Sequence, residues 1–172
     1  MNKKCVVRRL SIHDLSMILE WRNHPDVRRF MFTQHIIEQV EHQKWFLRAE
    51  TNSNLHMLLV EDAGVPLGFV QFNPVESGGI SDWGFYARPG APKGTGVRLG
   101  RAALDYAFGL HGLHKVCGQA INTNAASIAM HGKLGFRQEG ILREQHSVHG
   151  EYHSVVCFGL LASEWQNGRN VE

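Results

Sequence analysis

Apolar and polar residues follow two repeating patterns along the chain, which predict seven strands and four helices. Runs rich in β-branched and aromatic residues, bounded by turn residues, indicate strands, and apolar positions three or four residues apart indicate helices. The strands are predicted at 5–10, 56–61, 67–73, 80–87, 115–121, 136–146 and 152–161. The helices are predicted at 11–22, 38–49, 96–112 and 125–134. Ser11 and Asp14 form a possible capping box for the first helix, which Pro25 stops.

This order of elements predicts a mixed sheet with helices on both faces, an α/β fold with α+β character. An antiparallel meander of three strands is followed by a helix and a further strand. A sheet built in this order contains both antiparallel and parallel strand pairs. Neither a repeat nor a linker interrupts the pattern. The sequence therefore predicts a single domain over residues 1–172.

Composition narrows the class of protein. With 43% hydrophobic and 20% charged residues the chain is globular, and its formal net charge of +2 is too small for binding along a nucleic-acid backbone. Three widely spaced cysteines in apolar stretches predict reduced thiols and a cytoplasmic protein. Residues 1–4 lead into only a short apolar run, so neither a leader peptide nor membrane binding is expected.

A glycine-rich segment over residues 91–100 lies between a predicted strand and the longest predicted helix. Free amides and the dipole at a helix start attract a diphosphate, and glycine lets the backbone approach it. The segment fits neither the dinucleotide fingerprint, since Leu99 stands where glycine is needed, nor a Walker A loop. A plain turn with a helix cap is the alternative.

A second segment, residues 122–136, follows a strand, caps a helix with Asn124 and ends it at Gly135. Together the two segments resemble the GNAT acetyltransferase superfamily, and the resemblance covers essentially the whole chain. The resemblance implies acetyl-CoA as the acetyl donor, bound along the predicted strand at 80–87, the loop at 91–100 and the predicted helix at 125–134. The cofactor-binding residues it implies are Phe85, Tyr86, Ala87, Lys93, Gly94, Thr95, Gly96, Val97, Arg98, Leu99, Asn124, Ser127 and Lys133. The chain departs from the family pattern at Arg98 and at His131, where many members carry tyrosine.

The segments at 20–31, 41–46, 83–86 and 150–153 are similar to nucleotide-sugar N-acetyltransferases of pseudaminic acid biosynthesis, a pathway of flagellin glycosylation. This resemblance implies acetyl transfer to the 4-amino group of UDP-4-amino-4,6-dideoxy-N-acetyl-β-L-altrosamine. A UDP-sugar needs cations for its diphosphate and aromatic or apolar walls. The substrate-binding residues expected are Arg22, Asn23, His24, Arg28, Met31 and Trp83.

Thioester aminolysis needs a neutral amine, a stabilised oxyanion and a proton for the departing thiolate. His131 is the candidate catalytic acid, and the alternative is that it only packs against Phe136. Glu61 and Asp82 are candidate bases, although exposed carboxylates on strands are usually solvated, and water is an alternative base.

Three further questions stay open at this point. Within the same fold, a protein N-terminal acetyltransferase of the ribosomal-protein type has a similar Arg-Asn opening, and a non-catalytic acyl-CoA-binding module would carry the same loop. The apolar run 155–161 could pair with a second subunit, which allows a homodimer. Metal binding is not expected, because the histidines at 146, 149 and 153 span a predicted hairpin.

Overall fold

The computed structural model describes residues 5–169; residues 1–4, used in the expectation that a leader is absent, and residues 170–172 lie outside this range. The strands are β1 (Val6–Arg9), β2 (His56–Asp62), β3 (Val65–Glu76), β4 (Ile80–Ala87), β5 (Lys115–Ile121), β6 (Arg137–Val148) and β7 (Glu151–Leu161). The helices are α1 (Leu15–Asn23), α2 (Pro25–Arg28), α3 (Gln39–Glu50), α4 (Thr95–Asp105), α5 (Ala125–Lys133) and α6 (Ala162–Arg169).

The strand order is β1-β2-β3-β4-β5-β7-β6 in one mixed sheet, which confirms the predicted fold class. The β1–β2, β2–β3, β5–β7 and β6–β7 pairs are antiparallel. The β4–β5 pair is parallel, with Ile80 opposite Lys115 and Asp82 opposite Cys117.

Two helices lie outside the predicted pattern. Pro25 ends α1 but also starts the four-residue helix α2, because proline is well suited to the first turn of a helix. The helix α6 follows directly from β7 at Ala162, where the sequence shows no turn residues to separate the two. The predicted helix at 96–112 is α4 followed by a π-helical turn over Tyr106–Leu110.

The chain divides into two compact units, and β4 contributes to both. Of the described residues, 5–73 and 84–103 form the first unit, and 74–83 and 104–169 form the second. The prediction of a single domain stays a prediction.

In the first unit, α1 and α3 pack on one face of β2 and β3. Ile18 and Phe46 from the helices meet Leu59 and Phe69 from the strands in one buried cluster. Before α1, Ser11 and Asp14 form the predicted capping box. The hydrogen bond from Arg8 holds the pKa of Asp14 well below its usual range.

On the opposite face of β3, Gly68 allows α4 to sit directly on the sheet. A Cβ atom at Gly68 would collide with Leu99 Cδ1 and lie 2.5 Å from the Tyr86 carbonyl oxygen. Leu99 is fully buried there. This close approach fixes where the first turn of α4 stands relative to the end of β4.

Within residues 5–169 we find no helix with the length and hydrophobicity required to cross a membrane.

Candidate functional site

The first turn of α4 carries two free backbone amides. Gly94 precedes it with φ at +93°, a left-handed conformation that glycine adopts readily. The Thr95 amide and hydroxyl both bond to the Pro92 carbonyl oxygen, at 3.1 and 2.8 Å, and the Arg98 amide bonds to the Gly94 carbonyl oxygen at 3.2 Å. Within the described chain, the amides of Gly96 and Val97 therefore remain without a partner. Two amides at the positive end of a helix dipole form an anion site.

These hydrogen bonds leave fewer backbone amides for the diphosphate than the sequence predicts. The amides of Thr95 and Arg98 are already used inside the protein, and Leu99 is a core residue at 0% exposure. The prediction that Thr95, Arg98 and Leu99 donate amides to the diphosphate is therefore corrected. The first two amides have partners inside the protein, and the third residue is buried in the core.

Three cations of the first unit lie in or beside the glycine-rich loop, and they differ in how they are paired. The Arg98 guanidinium bonds to the Asp62 carboxylate, and this hydrogen bond raises the pKa of Arg98. Lys93 is exposed. Arg88, at the end of β4, is half-buried, and its Nε atom is buried without a hydrogen-bond partner in the described chain. Sequence reasoning missed Arg88, although a basic residue directly before Pro89 and the loop was visible.

The predicted cofactor residues on β4 are Phe85, Tyr86 and Ala87, all partly buried. Tyr86 donates its hydroxyl hydrogen to the Ile18 carbonyl oxygen at 3.3 Å and contacts Phe69 with ring centroids 5.3 Å apart. Burial raises the pKa of Tyr86. Its side chain is part of the first unit's core, so Tyr86 has only its backbone to offer a ligand.

At the start of α5, the predicted cofactor residues Asn124 and Ser127 serve the helix. Asn124 Oδ1 accepts a hydrogen bond from the Ser127 amide at 3.1 Å, which makes Asn124 the N-cap. The Ser127 carbonyl oxygen accepts a bond from His131 Nδ1 at 2.8 Å. Lys133, the last residue of α5, is exposed.

His131 is a core residue of the second unit, with 0% exposure. Its Nδ1 atom bonds to Ser127 O, and its Nε2 atom accepts the Trp83 indole N–H at 3.1 Å. The ring stacks on Phe158 with centroids 4.5 Å apart and meets Phe136 edge-on at 4.9 Å. Burial lowers the pKa of His131. Because both nitrogens are used and the ring is held neutral, the geometry contradicts the predicted acid role and matches the alternative of packing against Phe136.

Trp83 belongs to the same buried group. It is 6% exposed, stacks on Phe136 at 5.1 Å and donates its N–H to His131. A Cβ atom at Gly118 would stand 2.5 Å from His131 Nε2 and 2.7 Å from Trp83 Nε1, so the pair needs glycine at that position. The prediction that Trp83 forms a wall of the substrate site is corrected for this reason.

Arg22 and Arg28 are the predicted acceptor-site arginines, and both are partly buried. The Nη2 atom of Arg22 donates to the Thr33 carbonyl oxygen at 2.9 Å, while its Nη1 atom is buried without a partner in the described chain. Burial lowers the pKa of Arg22, and the neighbouring positive charge of Arg28 acts in the same direction. A buried guanidinium nitrogen that lacks a hydrogen-bond acceptor favours the binding of an anion.

Three other predicted acceptor-site residues, Asn23, His24 and Met31, make hydrogen bonds within their own segment. Asn23 bonds through both atoms of its amide to the backbone of Ile37, at 2.8 and 2.9 Å, and so fixes the segment between α2 and α3. His24 is the N-cap of α2 and accepts from the Asp26 amide at 3.3 Å. Met31 is partly buried and follows α2, bonding back to Arg28 O at 3.0 Å.

The two candidate bases differ in their surroundings. Glu61 accepts a hydrogen bond from Arg8 at 2.9 Å. Asp82 is half-buried opposite Cys117, and in the described residues its carboxylate has no ion pair. Burial raises the pKa of Asp82. Of the two carboxylates, that of Asp82 is the one without an ion-pair partner in the described chain.

A half-open cavity of about 590 Å³ lies in the first unit between α1 and α3. Leu15, Leu19 and Phe46 are among its apolar lining residues, and Asn23 also lines it. Neither Arg22 nor Arg28 lines it. Across residues 5–169, His, Cys, Asp and Glu do not gather into a group that could hold a metal ion.

Comparison with known proteins identifies a family. A family model described as an acetyltransferase (GNAT) domain matches residues 4–137. The crystal structure of spermidine N-acetyltransferase from Vibrio cholerae in complex with CoA and spermine shares the fold, with a TM-score of 0.89 over 96% of this chain and all (100%) of that chain, at 24% identity.

Curated relatives carry different names. Acetyltransferase PseH of Campylobacter jejuni is 30% identical over 99 residues, 58% of this chain. That match spans 61% of the relative's own length. Spermidine N(1)-acetyltransferase of Vibrio cholerae is 26% identical over 172 residues, covering 97% of this chain and 98% of the relative.

We predict that His131 stays neutral in the folded protein at pH 6.5, because burial lowers its pKa below the ordinary value of about 6.5. The stabilisation linked to this shift is complete above about pH 6.5 and is lost as the pH falls toward the lowered pKa, since the unfolded chain binds the proton first. ¹⁵N NMR of the imidazole checks this: one protonated nitrogen, Nδ1, is expected. Two N–H groups at pH 6.5 would show that the ring is held charged, as an acid requires.

Proposed function

The chain belongs to the GNAT acetyltransferase family, and we propose that it transfers the acetyl group of acetyl-CoA to the 4-amino group of a UDP-linked amino-deoxy sugar. Membership confirms the predicted enzyme class, an N-acetyltransferase, and the predicted donor, acetyl-CoA. The proposed acceptor is UDP-4-amino-4,6-dideoxy-N-acetyl-β-L-altrosamine, in pseudaminic acid biosynthesis. A cytoplasmic location, flagellin glycosylation and a homodimer stay predictions from the sequence.

The observation that carries the acceptor proposal is the buried Nη1 atom of Arg22, which has no hydrogen-bond partner in the described chain. Leaving a buried donor unpaired costs about 1–3 kcal/mol, which a bound phosphate oxygen would offset. Arg28 adds positive charge near Arg22, opposed by the negative charge of Glu41, and we infer that the unpartnered Nη1 atom favours a diphosphate over a polycation such as spermidine. The local match to Acetyltransferase PseH, over 99 residues, supports the same choice.

Attack begins from a neutral amine, and we assign the proton that the acceptor ammonium loses to solvent. The amine nitrogen then forms a bond to the thioester carbonyl carbon. Backbone N–H groups of β4 are the proposed oxyanion donors, an effect worth about 3 kcal/mol for one well-placed donor.

Collapse of the tetrahedral intermediate breaks the carbon–sulfur bond and releases the CoA thiolate. The nitrogen loses its remaining extra proton in this step, and the thiolate gains one. His131 is not assigned this task, because both of its nitrogens are bonded inside the core. We assign both of these proton transfers to solvent. Positioning of the two substrates then supplies most of the rate enhancement.

Mass spectrometry of acceptors incubated with acetyl-CoA tests the acceptor. We expect the UDP-4-amino sugar to gain one acetyl group while spermidine and a peptide with a free N-terminus gain none. Arg22→Gln should raise KM for the sugar at least tenfold with little change in kcat, since a charge-assisted bond worth about 1.5–3 kcal/mol is lost. The matched control is Arg29→Gln, because Arg29 is exposed and already lies 3.6 Å from Asp26.

Acetylation of spermidine or the peptide, with the sugar unchanged, would contradict the proposed acceptor. Tight acetyl-CoA binding without any free thiol release would instead favour a non-catalytic acyl-CoA-binding module.

A further inference from the structure

We propose that the groove between α1 and α3 is a self-association surface, which receives Leu47 from a second copy of this chain. The groove is the half-open cavity of about 590 Å³ in the first unit, and Leu47 is one of its lining residues. Arg22, on which the acceptor proposal depends, does not line it, so association here goes beyond the proposed acetyl transfer.

The sheet does not offer the subunit pairing that the sequence allowed at residues 155–161. These residues belong to β7, which pairs with β5 on one side and with β6 on the other. At the β6 edge, the register with β7 shifts between Leu142 and His146, and Glu144 has φ at +50°, while β1 at the other edge has only four residues. Bulges and short edge strands oppose pairing with another chain. Both edges of the sheet are thus protected, which leaves the helical faces for a second copy.

Three large apolar side chains are exposed on α3 and around the groove. Ile12 and Leu47 line the groove and are 62% and 56% exposed, and Val40 on α3 is 60% exposed. Val40 and Leu47 are about two helical turns apart, so they lie along one stripe of α3. Inside the groove the apolar lining continues to Leu15 and Phe46, which are 7% and 2% exposed. Exposed apolar side chains gathered around a cavity are typical of a protein–protein interface.

Two charges of opposite sign accompany these apolar side chains. Glu20 lines the groove from α1, and Lys44 lies between Val40 and Leu47 on the stripe of α3. Both are exposed, and neither has an ion pair within residues 5–169. The surface therefore presents one negative and one positive group that its own fold leaves unpaired.

A second copy of the chain is the partner that fits all of these features. In a two-fold dimer each contact occurs twice, with the two roles exchanged. Leu47 of each protomer then enters the groove of the other, and Lys44 of each protomer faces the partner's Glu20. One surface thus supplies the apolar side chain, the cavity that receives it and both members of the ion pair. Burial of Leu47 provides affinity, and the ion pairs at the rim fix the orientation.

Analytical ultracentrifugation of the full chain over a series of concentrations tests the proposal. We expect a reversible dimer with twice the mass of one chain. Leu47→Asp should raise the dimer dissociation constant about hundredfold or more, because it places a carboxylate in the apolar cavity. The matched control is Leu110→Asp: Leu110 is 80% exposed in the second unit, and its substitution should change the constant less than twofold.

Charge reversal separates a specific contact from a loss of folding. Lys44→Glu and Glu20→Lys should each raise the dissociation constant about fivefold or more, because like charges then face each other. The double variant restores opposite charges with their positions exchanged, so its constant should return to nearly that of wild type. A chain that stays monomeric at millimolar concentration, a dimer that Leu47→Asp leaves intact, or a double variant no tighter than either single one would overturn the proposal. Acetylation of a different acceptor would leave all of these results unchanged.

Discussion

Two glycines determine where the two free amides of α4 can meet a ligand. Gly94, with φ at +93°, turns the chain into the helix, and Gly68 lets Leu99 rest on β3 without a side chain between them. The Thr95 and Arg98 amides complete the turn internally, and the Gly96 and Val97 amides are left over. Unsatisfied amides at the positive end of a helix favour bound negative charge, and the family's donor carries a diphosphate.

Two kinds of arginine occur in the first unit. Some are paired with carboxylates, and others bury a nitrogen that has no acceptor in the described chain. Arg8 and Arg98 are held by carboxylates and stabilise the fold. Arg22 and Arg88 each bury a nitrogen that lacks an acceptor in the described chain, an arrangement that lowers stability unless a ligand completes it. This trade of stability for binding is common at functional sites. The unpartnered Nη1 atom of Arg22 therefore supports an anionic acceptor.

The elements could be predicted from the sequence because periodicity, caps and turn residues act locally. The segment 115–121 shows strand composition, and β5 has those bounds. The short helix α2 escaped prediction because proline both ends one helix and begins the next. The roles of His131 and Trp83 could not be foreseen, since their burial and mutual hydrogen bond join positions 48 residues apart. Similarly, only tertiary contacts distinguish Glu61, paired with Arg8, from Asp82, and make Arg88 stand out from the paired arginines.

Backbone NMR of the ¹⁵N-labelled protein titrated with acetyl-CoA tests the central claim most directly, because it observes the amides themselves. The account predicts large downfield proton shifts and slowed exchange at Gly96 and Val97, with smaller changes at Thr95 and Arg98, whose amides already have acceptors. Saturating acetyl-CoA that leaves the Gly96 and Val97 amide signals unchanged would contradict it.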